Sequence, residues 1–358
     1  MQKYNLVIAS APNHFEMVNR NKELYFANLP IHKIMVIGSS RGAEMFREDP
    51  RIELVDEEKL YPGLGMLSVR HLVEAQGGHM TRSNWYFQQF LKMAFALRCS
   101  EEYYIVWDAD TVPVRPIELF SEGHPLFSVC DDYRKDYFDT LERLFHGEIK
   151  KQKPQSFIVE HMVIRTEYMR ELIREVESDE TLKGSAFFEK IISAIDRNSI
   201  KTTGFSEFET YANYVLVRHP DMYRIRPLRA FRFGLILTGY HLDEDMVRWL
   251  AGSRDTVSFE HFCRPSIWRF RWLNEKTYGS RSVDQVWDAY QGSFYQKTDL
   301  MIKAVLDKRD RLLYLISRIP YRIKKLRKGK AEISTFEINF SRVLFSCHFS
   351  RCKYIKAL

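Results

Sequence analysis

Tyr103-Tyr104-Ile105-Val106-Trp107-Asp108-Ala109-Asp110-Thr111-Val112-Pro113-Val114 reads as a strand that runs into acid. Its first five residues, aromatic and β-branched, favour a pleated buried segment, and Pro113 stops further ladder pairing soon afterwards. The two aspartates therefore fall at the carboxyl end of a buried strand, where open α/β sheets hold their ligands. At the turn that ends the strand both carboxylates are able to converge on one cation. Hard oxygen donors of this kind suit Mg²⁺ or Mn²⁺, which keeps waters and completes its shell from a substrate phosphate. Neither lysine nor arginine stands between Tyr103 and Val114, so two acids this close repel each other unless a cation is bound. A lone Asp-x-Asp is also common in loops, and the strand before it is what gives the pair weight.

Upstream, Leu6–Ser10 reads as a first buried strand, closed by Ala11-Pro12-Asn13. A helix carrying Phe15, Val18, Leu24 and Phe26 follows, then a second strand over Lys33–Gly38. Strand, helix and strand make a βαβ unit, which places Ser10, Ala11 and Asn13 on the same side of a parallel sheet as Asp108 and Asp110. A nucleotide base fits there. A short third strand is expected over 51–56. The segment Thr81–Met93 reads as a capped helix with Tyr86, Phe90, Met93 and Leu97 on its buried stripe and with Arg82, Gln89 and Lys92 on other faces. The ordinary structural explanation of Lys92 is a solvated helix residue.

Downstream, Pro125–Cys130 reads as a strand ending in Asp131 and Asp132, and Ser156–Ile164 is strand-like but interrupted by Glu160-His161. Such a pair sits either on an exposed edge strand or in a cleft. Helices are expected over 167–176 and 186–195. Ser206 caps a further helix, with Glu209 three residues on completing a capping box. Glu207 then lies at the helix N-terminus, stabilised as an anion and free to act as a base. His241 and His261 are the remaining histidines within reach of a metal. His261, in the aromatic and basic region Phe259–Trp272, is the preferred third ligand, although a histidine amid aromatics is more often a core residue.

The chain has 358 residues, enough for one large α/β domain with an appendage, which we divide at 1–272 and 273–358. Hydrophobic and charged contents of 45% and 28% are those of a folded globular protein and exclude disordered and fibrous classes. Five cysteines without a CxxC pair, and a first apolar run too short for a signal peptide, point to the cytoplasm. No stretch reaches the roughly 18–20 apolar residues that span a bilayer. The net charge of +7 is local: residues 303–330 hold eleven Lys and Arg against two Asp, beside an apolar stripe including Leu306, Leu312, Leu313, Leu315 and Ile316. A basic amphipathic segment of this kind reads either as an anionic-membrane surface element or as a packed helix with a solvated face. No nucleic-acid motif accompanies the charge, so nucleic acid is not an expected partner.

The ordered set of Tyr104–Asp110, the preceding βαβ unit and the Trp85–Lys92 helix, with Glu160–Val163 and Phe205–Tyr211, resembles the GT-A glycosyltransferases. More narrowly it is similar to a bacterial branch of nucleotide-diphospho-sugar transferases often associated with surface polysaccharide genes. The resemblance covers roughly residues 4–270. It implies an α/β, Rossmann-like mixed sheet flanked by helices, followed here by the basic helical extension. It also implies a nucleotide-sugar donor, a UDP-sugar first among them, with Mn²⁺ or Mg²⁺ joining the diphosphate to Asp110 and with Asp108 on the ribose or the metal. Ser10, Ala11, Asn13, Arg82 and Lys92 are expected around the donor. Glu207 and His161 are the expected catalytic side chains toward a glycan or lipid-linked glycan acceptor, with Asp131 beside them. Two rivals stay open. A strand followed by Asp-x-Asp-Thr also fits a haloacid-dehalogenase-type phosphatase with Asp108 as nucleophile, and a sugar-binding protein without catalysis could keep the fold.

Overall fold

A computed structural model of the chain describes residues 2–260 and 262–317. The strands, in chain order, are β1 (Tyr4–Ala9), β2 (Ile31–Gly38), β3 (Ile52–Asp56), β4 (Tyr103–Trp107), β5 (Thr111–Pro113), β6 (Phe120–Ser121), β7 (His124–Val129), β8 (His161–Arg165), β9 (Arg224–Pro227), β10 (Ala230–Phe231) and β11 (Thr256–Ser258). Five of them form the central sheet in the order β3-β2-β1-β4-β8. β1 runs parallel to both β2 and β4, and β8 is antiparallel to β4. The class expected from the sequence, a mixed sheet flanked by helices, is the one observed. Because β1 and β4 are parallel neighbours, Ser10 and Asp108 do leave the sheet at the same edge.

Burial follows the two-residue period of β4. Tyr104 and Val106 enter one core, while Tyr103, Ile105 and Trp107 enter the other. The second core is covered by α1 (Phe15–Asn28), through Phe15, Val18 and Tyr25. The first is covered by α2 (Met66–Ala75), α3 (Ser83–Ala94), α4 (Lys135–Leu144), α5 (Thr166–Ser178), α6 (Phe187–Ala194) and α7 (Glu207–Arg218). On α3 the expected stripe holds for Tyr86, Phe90 and Met93, all without exposure, but Leu97 lies past the helix end and is 37% exposed. Lys92 is not on a solvated face: it is only 3% exposed.

A third core lies beyond these. It gathers Val112 of β5, Phe231 and Val257, the short α8 (Gly234–Thr238) through Leu235 and Leu237, and α9 (Glu244–Ala251) through Trp249 and Leu250. Trp272 joins it, as do Val283, Val286 and Tyr290 of α11 (Val283–Tyr290), which follows α10 (Glu275–Ser280). The chain divides into compact units at 1–296 and 297–358. The last helix, α12 (Phe294–Ser317), is described as far as Ser317 and exposes Met301, Val305, Leu312 and Leu313. The rest of the basic segment, from Arg318 on, lies outside the described residues. No helix among the described residues is long and apolar enough to cross a membrane.

Candidate functional site

The acid turn is held on three sides. Asp108 N–H donates to the Glu160 carbonyl at 2.9 Å, Thr111 N–H returns to the Asp108 carbonyl at 3.1 Å, and Phe259 N–H donates to the Asp110 carbonyl at 2.7 Å. β11 pairs antiparallel with β5, setting Ser258 opposite Thr111, and the two hydroxyls lie 2.8 Å apart. Below the turn the Thr111 carbonyl accepts from Tyr25 Oη and Trp107 Nε1, both at 2.8 Å. With its backbone groups engaged in this way, the turn presents Asp108 and Asp110 from a fixed frame.

Asp108 continues the alternation of β4 onto the α3 side. Lys92 Nζ lies 2.5 Å from Asp108 Oδ1 and 2.7 Å from Glu207 Oε1, in a setting where Lys92 and Glu207 are both buried. Burial pulls the Lys92 pKa down, but the two carboxylates outweigh it and hold the ammonium above its ordinary value. Burial pushes Glu207 up, the Asp108 charge adds to that, and Lys92 opposes both. Ser206 caps α7 as expected, its hydroxyl accepting from Glu209 N–H at 3.2 Å, and Gln89 Oε1 accepts from Glu207 N–H at 3.0 Å. The reciprocal half of the capping box is absent. Glu209 Oε1 instead accepts from Phe157 N–H at 2.7 Å, tying α7 to the segment before Glu160.

Asp110 faces a second set of acids. Burial raises its pKa, and the Glu260, Asp108 and Glu160 carboxylates push it further, to about 8. Glu160 is raised to about 7, chiefly by burial, with Arg232 opposing and Glu260 and Asp108 adding. Arg232 spans the two glutamates, at 3.4 Å from Glu160 Oε1 and 2.5 Å from Glu260 Oε1. Glu160 Oε2 is buried without a hydrogen-bond partner among the described residues, which is costly for a carboxylate. Among the described residues no three His, Cys, Asp or Glu side chains form a ready metal cage.

His161 turns the other way. Paired with Trp107 across β4 and β8, it stacks on the indole at 4.6 Å between centroids and 20° between planes. Its Nε2 lies 3.1 Å from Ser128 Oγ, while Nδ1 is buried without a partner among the described residues. Burial first, and then the Arg226 charge, drive its pKa down to about 3. Glu160 and His161 are thus both buried, at 6% and 2% exposure, rather than displayed on an edge.

The remaining residues take other places. Ser10 is buried at the end of β1, with its N–H on the Ile37 carbonyl, and Ala11 and Asn13 are exposed in the turn beyond it. Arg82 is half-buried just before α3, where its charge lowers the Tyr86 hydroxyl pKa against the dominant effect of burial. Asp131 is exposed beyond β7. His261 lies outside the described residues, next to Glu260. The structure therefore brings Lys92, Asp108 and Glu207 into contact and Asp110 into the field of Glu160 and Glu260. Sequence reasoning missed Glu260, Arg232 and Gln89. Glu260 directly precedes the chosen histidine, and that adjacency was its one available signal; the other two are indistinguishable by pattern from surface residues.

Solved structures similar to this chain include mouse xyloside xylosyltransferase 1 in its apo form, at 12% identity over 73% of this chain and 99% of that one, with a TM-score of 0.38. The WbbM bifunctional glycosyltransferase, also apo, matches at 13% identity over 84% of this chain and 51% of that one, with a TM-score of 0.38. The galactosyltransferase LgtC, in complex with donor and acceptor sugar analogues, matches at 11% identity over 80% of this chain and 99% of that one, with a TM-score of 0.33. No curated protein matches the sequence. The model of a family of unknown function, DUF6492, matches residues 14–234.

Proposed function

The chain belongs to the DUF6492 family, a family of unknown function, and for it we propose glycosyl transfer from a nucleotide-diphosphate sugar to a hydroxyl acceptor. The observation that carries this reading is the crowding of carboxylates at the carboxyl end of β4, where Asp108, Glu160 and Glu260 all raise the pKa of Asp110. Such a site favours a cation. Mg²⁺ typically uses one or two carboxylates and completes its shell from water and phosphate, so Asp108 and Asp110 fit as the protein's share and need no cage. When bound, the ion neutralises charge on the departing nucleoside diphosphate.

The chain's own residues do the rest. Ser10 to Asn13 and Arg82 lie around the nucleotide, a uridine nucleotide first among the candidates. Glu207, raised by burial, is a better base than a solvated glutamate and takes the proton of the acceptor hydroxyl. His161, neutral and stacked on Trp107, shapes the strand end from behind. The acceptor is a glycan or lipid-linked glycan of a surface polysaccharide, reached in the cytoplasm at the inner face of the membrane, whose anionic lipids suit the basic composition of the 303–330 segment.

A melting screen of UDP, GDP, CMP and their sugars, with and without Mn²⁺, on wild type and Asp110→Ala tests this. A bound donor raises the melting temperature by mass action. We expect metal-dependent stabilisation by one nucleotide class, lost in Asp110→Ala. No nucleotide effect, with phosphate-ester turnover abolished by Asp108→Asn, would replace the reading with a phosphatase. Sugar binding without transfer would leave a binding protein.

A further inference from the structure

Lys92 stands where two charge systems meet. It is buried in the last turn of α3, 2.5 Å from Asp108 Oδ1 and 2.7 Å from Glu207 Oε1, and the Phe208 ring covers its ammonium at 4.7 Å. The ammonium is thus held between two carboxylates and a ring, with the Asp108 side of the pair partly open to solvent. Asp108 is also one of the two acids that the proposed function gives to the divalent cation, and any role of Lys92 toward that cation rests on the same reading. Two cations drawn to one carboxylate repel each other strongly where little water screens them.

We propose that Lys92 is the resident counter-ion of the cation site: it competes with the divalent metal for Asp108 and makes metal capture conditional on the diphosphate. The diphosphate supplies the missing force because it brings oxygen ligands and negative charge of its own. As the metal draws Asp108 away, the ammonium is left to Glu207. Arrival of the donor is thereby felt at the side chain that faces the acceptor. Lys92 acts through its two carboxylates, so it is a positioning residue, and its role is a matter of charge rather than shape.

The test is Mn²⁺ affinity of the full-length chain by calorimetry, first without nucleotide and then with UDP present. Lys92→Met keeps the length of the side chain and removes its charge. We expect it to bind Mn²⁺ at least tenfold more tightly than wild type without nucleotide, and to gain less from UDP. Lys92→Arg, which keeps the charge, should stay within a few-fold of wild type. A merely structural lysine predicts the opposite for Lys92→Met, since a loosened Asp108 binds metal less well. Unchanged or weaker Mn²⁺ binding in a folded Lys92→Met protein overturns the proposal. If that variant does not fold, Glu207→Gln decides: it leaves the ammonium to Asp108 alone and should weaken Mn²⁺ binding several-fold, and unchanged or tighter binding would overturn the proposal equally. The UDP arm separates this from the wider reading. Failure of all nucleotides to bind wild type sinks glycosyl transfer, whereas the nucleotide-free comparison bears on Lys92 alone.

Discussion

Two neighbouring residues at the start of β8 show what the two faces of the sheet are for. Glu160 faces Asp108 and Glu260 and is driven up to about 7, whereas His161 lies on Trp107 and is driven down to about 3. Burial dominates both shifts, and it acts in opposite directions because it penalises whichever form is charged. On the acid face the result is a crowded set of carboxylates, two of them, Glu160 and Glu260, spanned by Arg232. On the aromatic face it is a neutral ring that packs as a core residue. One face gathers charge, and the other packs a neutral ring against the strand that carries it.

That division is open to experiment, and the largest effect belongs to the aromatic face. Trp107 is fully buried, stacked on His161 and donating to the Thr111 carbonyl. Trp107→Ala should cost about 3–5 kcal/mol of unfolding free energy, read as a fall in the urea midpoint. A loss under half of that would mean the acid turn does not lean on this face. Next comes acid sensitivity. The folded value of His161 lies below its ordinary 6.5, so the unfolded chain binds its proton more tightly and stability is lost as pH falls below about 6.5 toward about 3. The loss should reach on the order of 2–4 kcal/mol and shrink in His161→Asn, when midpoints are compared at pH 7 and pH 4.5.

Glu160 should behave inversely and by less. Its folded value is above its ordinary 4.5, so the folded chain binds the proton more tightly and stability falls as pH rises from about 4.5 through about 7. Glu160→Gln should remove that fall and leave the protein about 1–3 kcal/mol more stable than wild type at pH 8 without divalent ions; Arg232 retains Glu260. A variant that melts lower at pH 8 would show that the Arg232 contact outweighs the crowding. The smallest change is Gln89→Ala, which strips the acceptor from Glu207 N–H and should cost about 1–2 kcal/mol without altering either pH slope.

The same contrast explains what could be read in advance. β1, β2 and β4 announce themselves because apolar runs buried on both faces are continuous in sequence, and the Ser206 cap does so because its hydroxyl acts on a backbone group three residues away. The burial of Lys92 was not legible, since it depends on Asp108 and Glu207, which lie 16 and 115 residues along the chain. Glu209 has the spacing of the closing half of a local box, yet its carboxylate goes to the backbone of Phe157. Glu160 and His161 left an edge and a cleft both open because nothing in a linear pattern says that successive residues entering one strand meet an acid cluster and an indole. Local chemistry was legible; partners contributed from afar were not.

The pairing of β5 with β11 carries a last consequence, which concerns time. Thr111 meets Ser258 across 147 residues of chain, and long-range antiparallel closure of this kind forms late because the intervening loop must first be ordered. During synthesis the N-terminal sheet can assemble first, with the aspartate turn tethered at one side only. The acid turn is thus made early and locked late. A nascent chain therefore carries its acid turn for a time without the strand that closes it, and the turn gains its full set of backbone partners only when β11 and Phe259 arrive.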